Sequence, residues 1–546
     1  MADPRHGSYK DLVQAHGKEL DVLLRQGIYK PVFVYHILIF HFLPIIGLII
    51  PRSRATRYVR PGIFVVCLGV SIETLKSHRT LLGGNGYMIG LMTAWWLVWT
   101  ATLFMFTDLE RDFQRIERGS ATDHEPDTSS SLPEDTKSNM NSILANGQRA
   151  SPVSGKKATR STSTIIDCAK QRSHNTFHWQ SYPRKFRHRL DWCAGLLFNL
   201  RGPEWNWRAP RLGPLPRSVH AQLDLGFDSN QICPENDGAS MSPRKTLESA
   251  FYMCLQSYLL LDFLKVVMMR DPYFRGYVSS ELGPPFPFSC LIPFPVLVNF
   301  YRYFLSATGV YVALNFVTSF NPICFLGLSL AFPNASRRLT AAPLDESWLY
   351  SDNFGPIVFP VLNYGLAGCW GRWWHQLFRY GFTASARWVL SLLPTSVSDK
   401  PHIRRIVHLV VAFALSGFIH SCGSFTQFTA TQPLSGPFLF FSLQCMAIFL
   451  ESVFKSVIVP RTPLARVPRW LGQTANAFGV IMWFLYSGGF IADDFARGGL
   501  WLMEPVPISP LRGLGLARDK GWWCWDLPWF GYWSDGTYWG SGIRVI

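Results

Sequence analysis

Two stretches of this chain carry residues that could do chemistry. Ala414–Cys422 reads ALSGFIHSC and places one imidazole, His420, inside Ile406–Leu450, a run of 45 residues without Asp, Glu, Lys or Arg. Cys369–Phe382 reads CWGRWWHQLFRYGF and crowds three tryptophans, two arginines, His375 and Gln376 between apolar segments. A neutral imidazole kept from water can take a proton from a hydroxyl, which is the step general-base catalysis needs. The plainer alternative for His420 is a hydrogen bond across two helices. His408 follows Arg404 and Arg405 and is expected at the headgroup level, with His420 about three turns deeper. On a helix, Phe413, Ser416 and Gly417 share the His420 face, and Gly417 leaves room for a ligand or another helix.

If GRWWHQLFR is helical, Arg372, His375 and Arg379 share one face, with Trp373 and Trp374 flanking it. Two readings stay open. The stretch is an amphipathic helix in the interface, tryptophans in lipid and arginines at phosphates. Or it is a wall of a reaction chamber, where His375 and the arginines orient a polar acyl donor. A third cluster, NLRGPEWNWR over Asn199–Arg208, brackets Trp205, Asn206 and Trp207 between Arg201 and Arg208.

The elements that must position these residues are membrane helices. Charged residues make up 16% of the 546-residue chain, against roughly 25% in soluble domains. The deficit falls in long uncharged runs: 31–51, 80–107, 303–336, 406–450 and 471–492. Ser249–Met269 is apolar apart from Asp262 and Lys265, while Gly62–Ile72 and Phe382–Leu393 are shorter. The runs are too long and continuous for barrel strands. The expected fold is therefore all-α, a polytopic helical membrane protein of about 7–9 transmembrane helices. N-terminal spans would occupy 1–108, a polar, largely disordered loop 109–190, the core 191–500, and a Trp-rich tail 501–546. The tail's six tryptophans beyond Gly521 suit interfacial anchoring.

Residues 156–217 hold 13 Lys or Arg against Asp167, Asp191 and Glu204, a net +10 out of the chain's +16. Such a stretch suits attraction to anionic lipid headgroups, or a basic mouth for a phosphate-bearing substrate such as coenzyme A. No nucleic-acid module frames it. The 11 cysteines form no Cys-x-x-Cys pair, which argues against zinc and against a disulfide scaffold. The first 30 residues are polar, so no signal peptide is expected.

Taken together, the three stretches resemble the fungal wax-synthase-like branch of the membrane-bound O-acyltransferases. The boxes are Arg201-Gly202-Pro203-Glu204-Trp205-Asn206-Trp207, Trp370-Gly371-Arg372-Trp373-Trp374-His375-Gln376, and Ser416-Gly417-Phe418-Ile419-His420. Their order and spacing resemble the family over about Phe198–Trp483. The resemblance implies transfer of an acyl group from acyl-CoA, acetyl-CoA foremost, to a hydroxyl, with His420 as base. It implies positioning or polarisation for His375. It also marks Arg372, Trp374, Gln376, Trp370, Ser416, Gly417, Trp205, Asn206 and Trp207 as substrate- or cofactor-binding candidates. Acyl-CoA is a co-substrate, and no metal or permanently bound cofactor is implied. The acceptor implied is a lipophilic alcohol, a terpenoid or meroterpenoid secondary metabolite, and the setting a multi-pass protein of the endoplasmic reticulum in contact with membrane lipid. A long-chain alcohol fatty-acyltransferase stays open as an alternative, and the oligomeric state is left open. No Gly-x-Ser-x-Gly elbow exists to support an acyl-enzyme.

Two other classes fit the residues less well. A prenyltransferase or cyclase would use aspartate boxes, for which only Asp108/Asp112 and Asp493/Asp494 are available, in the wrong flanks. A transporter would favour inverted repeats, and none is visible, although Pro284–Pro295 could break a helix.

Overall fold

The computed structural model describes residues 8–119, 176–224, 241–278, 282–517 and 521–546. The longer helices are α1 (Tyr9–Arg25), α2 (Val34–Ile49), α3 (Val59–Ser77), α4 (Tyr87–Ala101), α5 (Phe186–Leu197), α6 (Pro243–Met268), α7 (Pro295–Asn321), α8 (Val358–Gly368), α9 (Arg379–Ser391), α10 (Pro401–Phe425), α11 (Leu439–Val453) and α12 (Arg469–Arg497). Among the described residues, six helical stretches are long and apolar enough to cross a membrane: 87–106, 243–268, 295–331, 401–425, 434–461 and 469–497. The shorter apolar α2 adds a candidate. These follow the uncharged runs, because a residue surrounded by lipid cannot keep a charge at low cost. Outward-facing Phe251, Leu255 and Leu259 on α6 are about half exposed at a four-residue spacing, a stripe suited to lipid.

Two of the expected crossings resolve differently. Gly62–Ile72 lies within α3, which is not among the six. Phe382–Leu393 falls mostly in α9, whose 13 residues span only about 20 Å, short of a bilayer core. Instead α8 and α9 form a helix–break–helix unit. Near its start α8 is tied to the first turns of α12: Asn363 Oδ1 accepts from Arg469 and Gln473, and Asn476 donates to the Leu362 carbonyl. Its tip reaches Phe413, Gln444 and Phe484, mid-way along α10, α11 and α12. From there α9 returns, so that Trp388 stacks on Phe106 at the end of the α4 stretch.

Charges inside the apolar segments are pinned by distant chain. Asp262 accepts from Ser509 Oγ and from the Leu511 amide. Lys265 Nζ donates to the carbonyls of Trp501, Leu502 and Met503. Arg302 on α7 pairs with fully buried Asp271 at 3.0 Å.

Two small sheets appear among the described residues, beyond the all-helical expectation. Strands β3 (Arg115–Arg118) and β4 (Phe177–Gln180) pair antiparallel, with Arg118 opposite Phe177. Most of the stretch expected to be disordered, 120–175, lies outside the described residues. The polar loop expected over 109–190 is ordered at both ends, and α5, which begins inside it, buries Trp192, Cys193, Leu196 and Leu197 completely. The second sheet joins β1 (Lys30–Phe33), β2 (His78–Arg79), β5 (Phe530–Ser534) and β6 (Ser541–Val545) in the order β2-β1-β6-β5. Around it Trp522, Trp523 and Trp539 of the tail remain more than half exposed, as interfacial anchors would.

Helices α4 and α10 approach each other closely. A methyl group at Gly90 would overlap the Cys422 carbonyl, and one at Gly423 would meet the Tyr87 ring at 2.8 Å. Thr426 clamps the pair: its Oγ1 accepts from the Gly90 amide and donates to the Gly86 carbonyl, both at 3.0 Å. Overpacking such a contact costs about 1–3 kcal/mol. Gly90→Val should therefore lower the melting temperature in detergent by several degrees. Gly479→Ala on α12, where nothing lies within 4 Å, should leave it unchanged or slightly raised, since alanine is the better helix former by about 1 kcal/mol.

Candidate active site

The histidine-bearing box sits at the tip of the helix–break–helix unit. Inside α8, Gly365 takes a left-handed conformation (φ 63°) and the helical bonding is interrupted. Glu451 of α11 caps the break by accepting from the amides of Leu366 and Ala367 at 3.2 and 3.1 Å, while Lys455 holds the carboxylate at 2.8 Å. Cys369–Trp373 then forms one π-helical turn, closed by the Trp374 amide on the Cys369 carbonyl, and Trp374 itself is extended. The expected shared face of Arg372, His375 and Arg379 is therefore not formed, because the chain leaves the helix between Trp373 and Arg379. The physical reason is competition from outside the segment. The Trp373 carbonyl accepts from the Gly355 amide. Buried Gln376 accepts from the Arg211 amide at 3.1 Å and donates to the Gly371 carbonyl at 2.9 Å. Gln376 thus holds the loop, and Arg372 turns outward onto the Tyr364 ring, 3.9 Å away.

His375 lies among the rings of Phe354, Trp374 and Phe378. Its Nδ1 is buried with no hydrogen-bond partner among the described residues. Its electrostatic neighbours are His420 and Arg201. His420 stacks on Phe441 of α11 with centroids 4.8 Å apart, and its Nδ1 meets the Tyr87 hydroxyl at 2.6 Å. A file of rings joins the two imidazoles: His375, Trp374, Trp370, Phe441, His420. Trp370 is held among Phe413, Phe440 and Phe484, and both its Nε1 and that of Trp483 donate to Gln444. Gln444 is fully buried and donates in turn to Ser487. Neither imidazole is sealed, since both keep accessible surface.

The remaining sequence candidates divide. Ser416 lies one turn before His420 and is partly accessible. Gly417 faces Phe438, which a methyl group there would meet at 3.0 Å, so the space it leaves is filled by protein. Trp205 is fully buried, edge-to-face on Trp192. Asn206 accepts from the Gln114 amide and donates to the Asp112 carbonyl, which fixes the loop to β3. Trp207 packs between Trp99 and Tyr380. With Asn206, Arg208, Tyr380, Arg387 and His408 it lines a cavity of about 680 Å³. His408 precedes His420 by 12 residues, about 18 Å along the helix, so this cavity lies well away from His420.

Arg201, Tyr87 and Phe441 were not among the sequence candidates. Arg201 donates to the carbonyls of Ser351 and Asp352 and makes no ion pair among the described residues. Burial pulls its guanidinium down to about 10. Its place at the head of the Arg201–Trp207 box was the available signal. Tyr87 offered none beyond being a hydroxyl near the start of an uncharged run.

Residues 350–443 match the membrane bound O-acyl transferase family. That segment contains the His375 tip and His420 but neither Tyr87 nor Arg201. An O-mevalon transferase of Penicillium terrestre is 32% identical over 23% of this chain and 30% of its own length. An acetyltransferase of Humicola fuscoatra is 28% identical over 26% of this chain and 34% of its own. The chain thus spans about a third of the length of these two relatives. No solved structure matches. An acetyltransferase of Hericium erinaceus is 30% identical over 56% of this chain and 70% of its own length. With that extent of match, and with the family segment enclosing both imidazoles, the chain belongs to the membrane-bound O-acyltransferase family.

Proposed function

We propose that this protein transfers an acyl group, acetyl foremost, from acyl-CoA to the hydroxyl of a lipophilic terpenoid or meroterpenoid alcohol. The observation that carries the reading is that two imidazoles from separate elements end one aromatic file in an apolar interior, His375 Nδ1 buried without a partner among the described residues and His420 bound through Nδ1. A buried polar group without a partner calls for one, and a substrate supplies it.

His420 Nε2 takes the proton of the acceptor hydroxyl as its oxygen attacks the thioester carbonyl. The C–O bond forms, the tetrahedral oxyanion collapses and the C–S bond breaks. The proton then passes from His420 to the departing thiolate, which leaves the ester and free CoA. His375, neutral, donates an N–H to the carbonyl oxygen where negative charge develops, with Arg201 as the nearby cation. The cavity lined by Arg208, Arg387 and His408 is the mouth for the phosphate-bearing end of the donor, while the acceptor reaches His420 from lipid. The core over 191–500 carries the chemistry, and the tail from 501 anchors it at the interface. Relatives named acetyltransferase and O-mevalon transferase support an acyl acceptor in secondary metabolism. The endoplasmic reticulum is the proposed membrane, and no cofactor is held between turnovers.

His420→Ala should lower turnover by about 10²–10⁴-fold, the usual contribution of a general base, with His375→Ala costing less. Mass spectrometry of products from detergent-purified protein reads both, and uptake of substrate without turnover, indifferent to His420→Ala, would point to a transporter instead. A panel of acetyl-, mevalonyl- and palmitoyl-CoA against terpene, sterol and fatty alcohols should favour acetyl-CoA with a terpene alcohol. Preference for palmitoyl-CoA with a fatty alcohol would overturn the acetyl assignment. Arg387→Ala should raise the KM for acyl-CoA about tenfold, the loss of one charge-assisted contact, and leave kcat unchanged.

A further inference from the structure

We infer that Tyr87, on a helix outside the family segment, is the positioning residue that commits the His420 ring to the tautomer able to act as base. The inference rests on the proposed role of His420 and extends it to a second element.

The Tyr87 hydroxyl and His420 Nδ1 are 2.6 Å apart. An imidazole has two nitrogens, and in the neutral ring one carries the proton while the other accepts. With Nδ1 engaged by protein, only Nε2 is left to face a substrate. For Nε2 to accept a proton, Nδ1 must hold one and donate it to the phenol oxygen. The phenol's own hydrogen must then point elsewhere. Asp494 of α12 is the anion acting on Tyr87, and its Oδ2 is buried without a partner among the described residues. A phenol hydrogen turned away from His420 leaves the oxygen lone pair for Nδ1–H. Once Nε2 is protonated, the same oxygen accepts from the imidazolium, so the interaction strengthens as charge develops.

The rest of the neighbourhood is built to hold this contact. Gly423, one turn after His420, has no side chain, and the Tyr87 ring lies across it. Phe495, next to Asp494, packs edge-on against the same ring at 5.3 Å. Phe441 covers one face of the imidazole. Together they fix the ring about both axes, which hydrogen bonding alone would not do.

Tyr87→Phe keeps every ring contact and removes only the oxygen. We expect kcat to fall about tenfold or more, within the range of acid–base effects, while KM for both substrates stays within about twofold. In a His420→Ala background the same change should cost less than about twofold further, because residues acting as a unit are non-additive. Gly423→Ala, which pushes the phenol away without touching the hydroxyl, should lower kcat in the same direction. Melting curves in detergent confirm folding of each variant. A kcat for Tyr87→Phe within twofold of wild type, or an equal loss in both backgrounds, would overturn the positioning role alone. Wild-type turnover by His420→Ala would overturn the base assignment, and the role of Tyr87 with it.

Discussion

The structure depends on one constraint: a helix interrupted among apolar neighbours must have its freed amides and carbonyls answered by other groups. The break inside α8 and the loop that follows it are possible because Glu451 answers the Leu366 and Ala367 amides, Gln376 answers the Gly371 carbonyl and the Gly355 amide answers the Trp373 carbonyl. A continuous helix would satisfy its own backbone and would leave no tip. With the break, Trp370 of the π-helical turn reaches the middle of α10, α11 and α12, and the non-helical segment carrying His375 follows it. Polar side chains that look misplaced in apolar runs are thus the supports of the site. Gln444 does the same for the tryptophans, holding two indoles with one amide oxygen.

A second layer of positioning comes from close approach. Small residues let α4 lie against α10 so tightly that a phenol on one meets an imidazole on the other. The aromatic file from His375 to His420 then fills the space that two unlike elements leave between them. The mean geometry of such a file is set by ring packing, which favours tilted and edge-on contacts over free rotation.

Much of this was legible in the sequence. Long uncharged runs marked the helices, since lipid tolerates few charges, and the depth of His420 followed from its distance to Arg404 and Arg405. The His375 face was misjudged because a 3.6-residue repeat presumes a continuous helix. The groups that break it lie far along the chain, an acceptor at Glu451 and donor amides at Gly355 and Arg211. Arg201 could be found only by treating its box as a unit. Trp205 and Asn206 proved to be loop supports, a role that residue type alone does not distinguish from ligand contact. Tyr87 stayed invisible because its partner is more than three hundred residues away.

The small sheet joins Val32 to Val545, and Tyr9 near the first helix donates to Glu504. During synthesis β1 therefore keeps one edge bare until β6, more than five hundred residues further along the chain, has been made. Its other neighbour, β2, is available early. A strand edge left open over that interval is a template for pairing with another chain, so closing this sheet also guards the protein against edge-to-edge association.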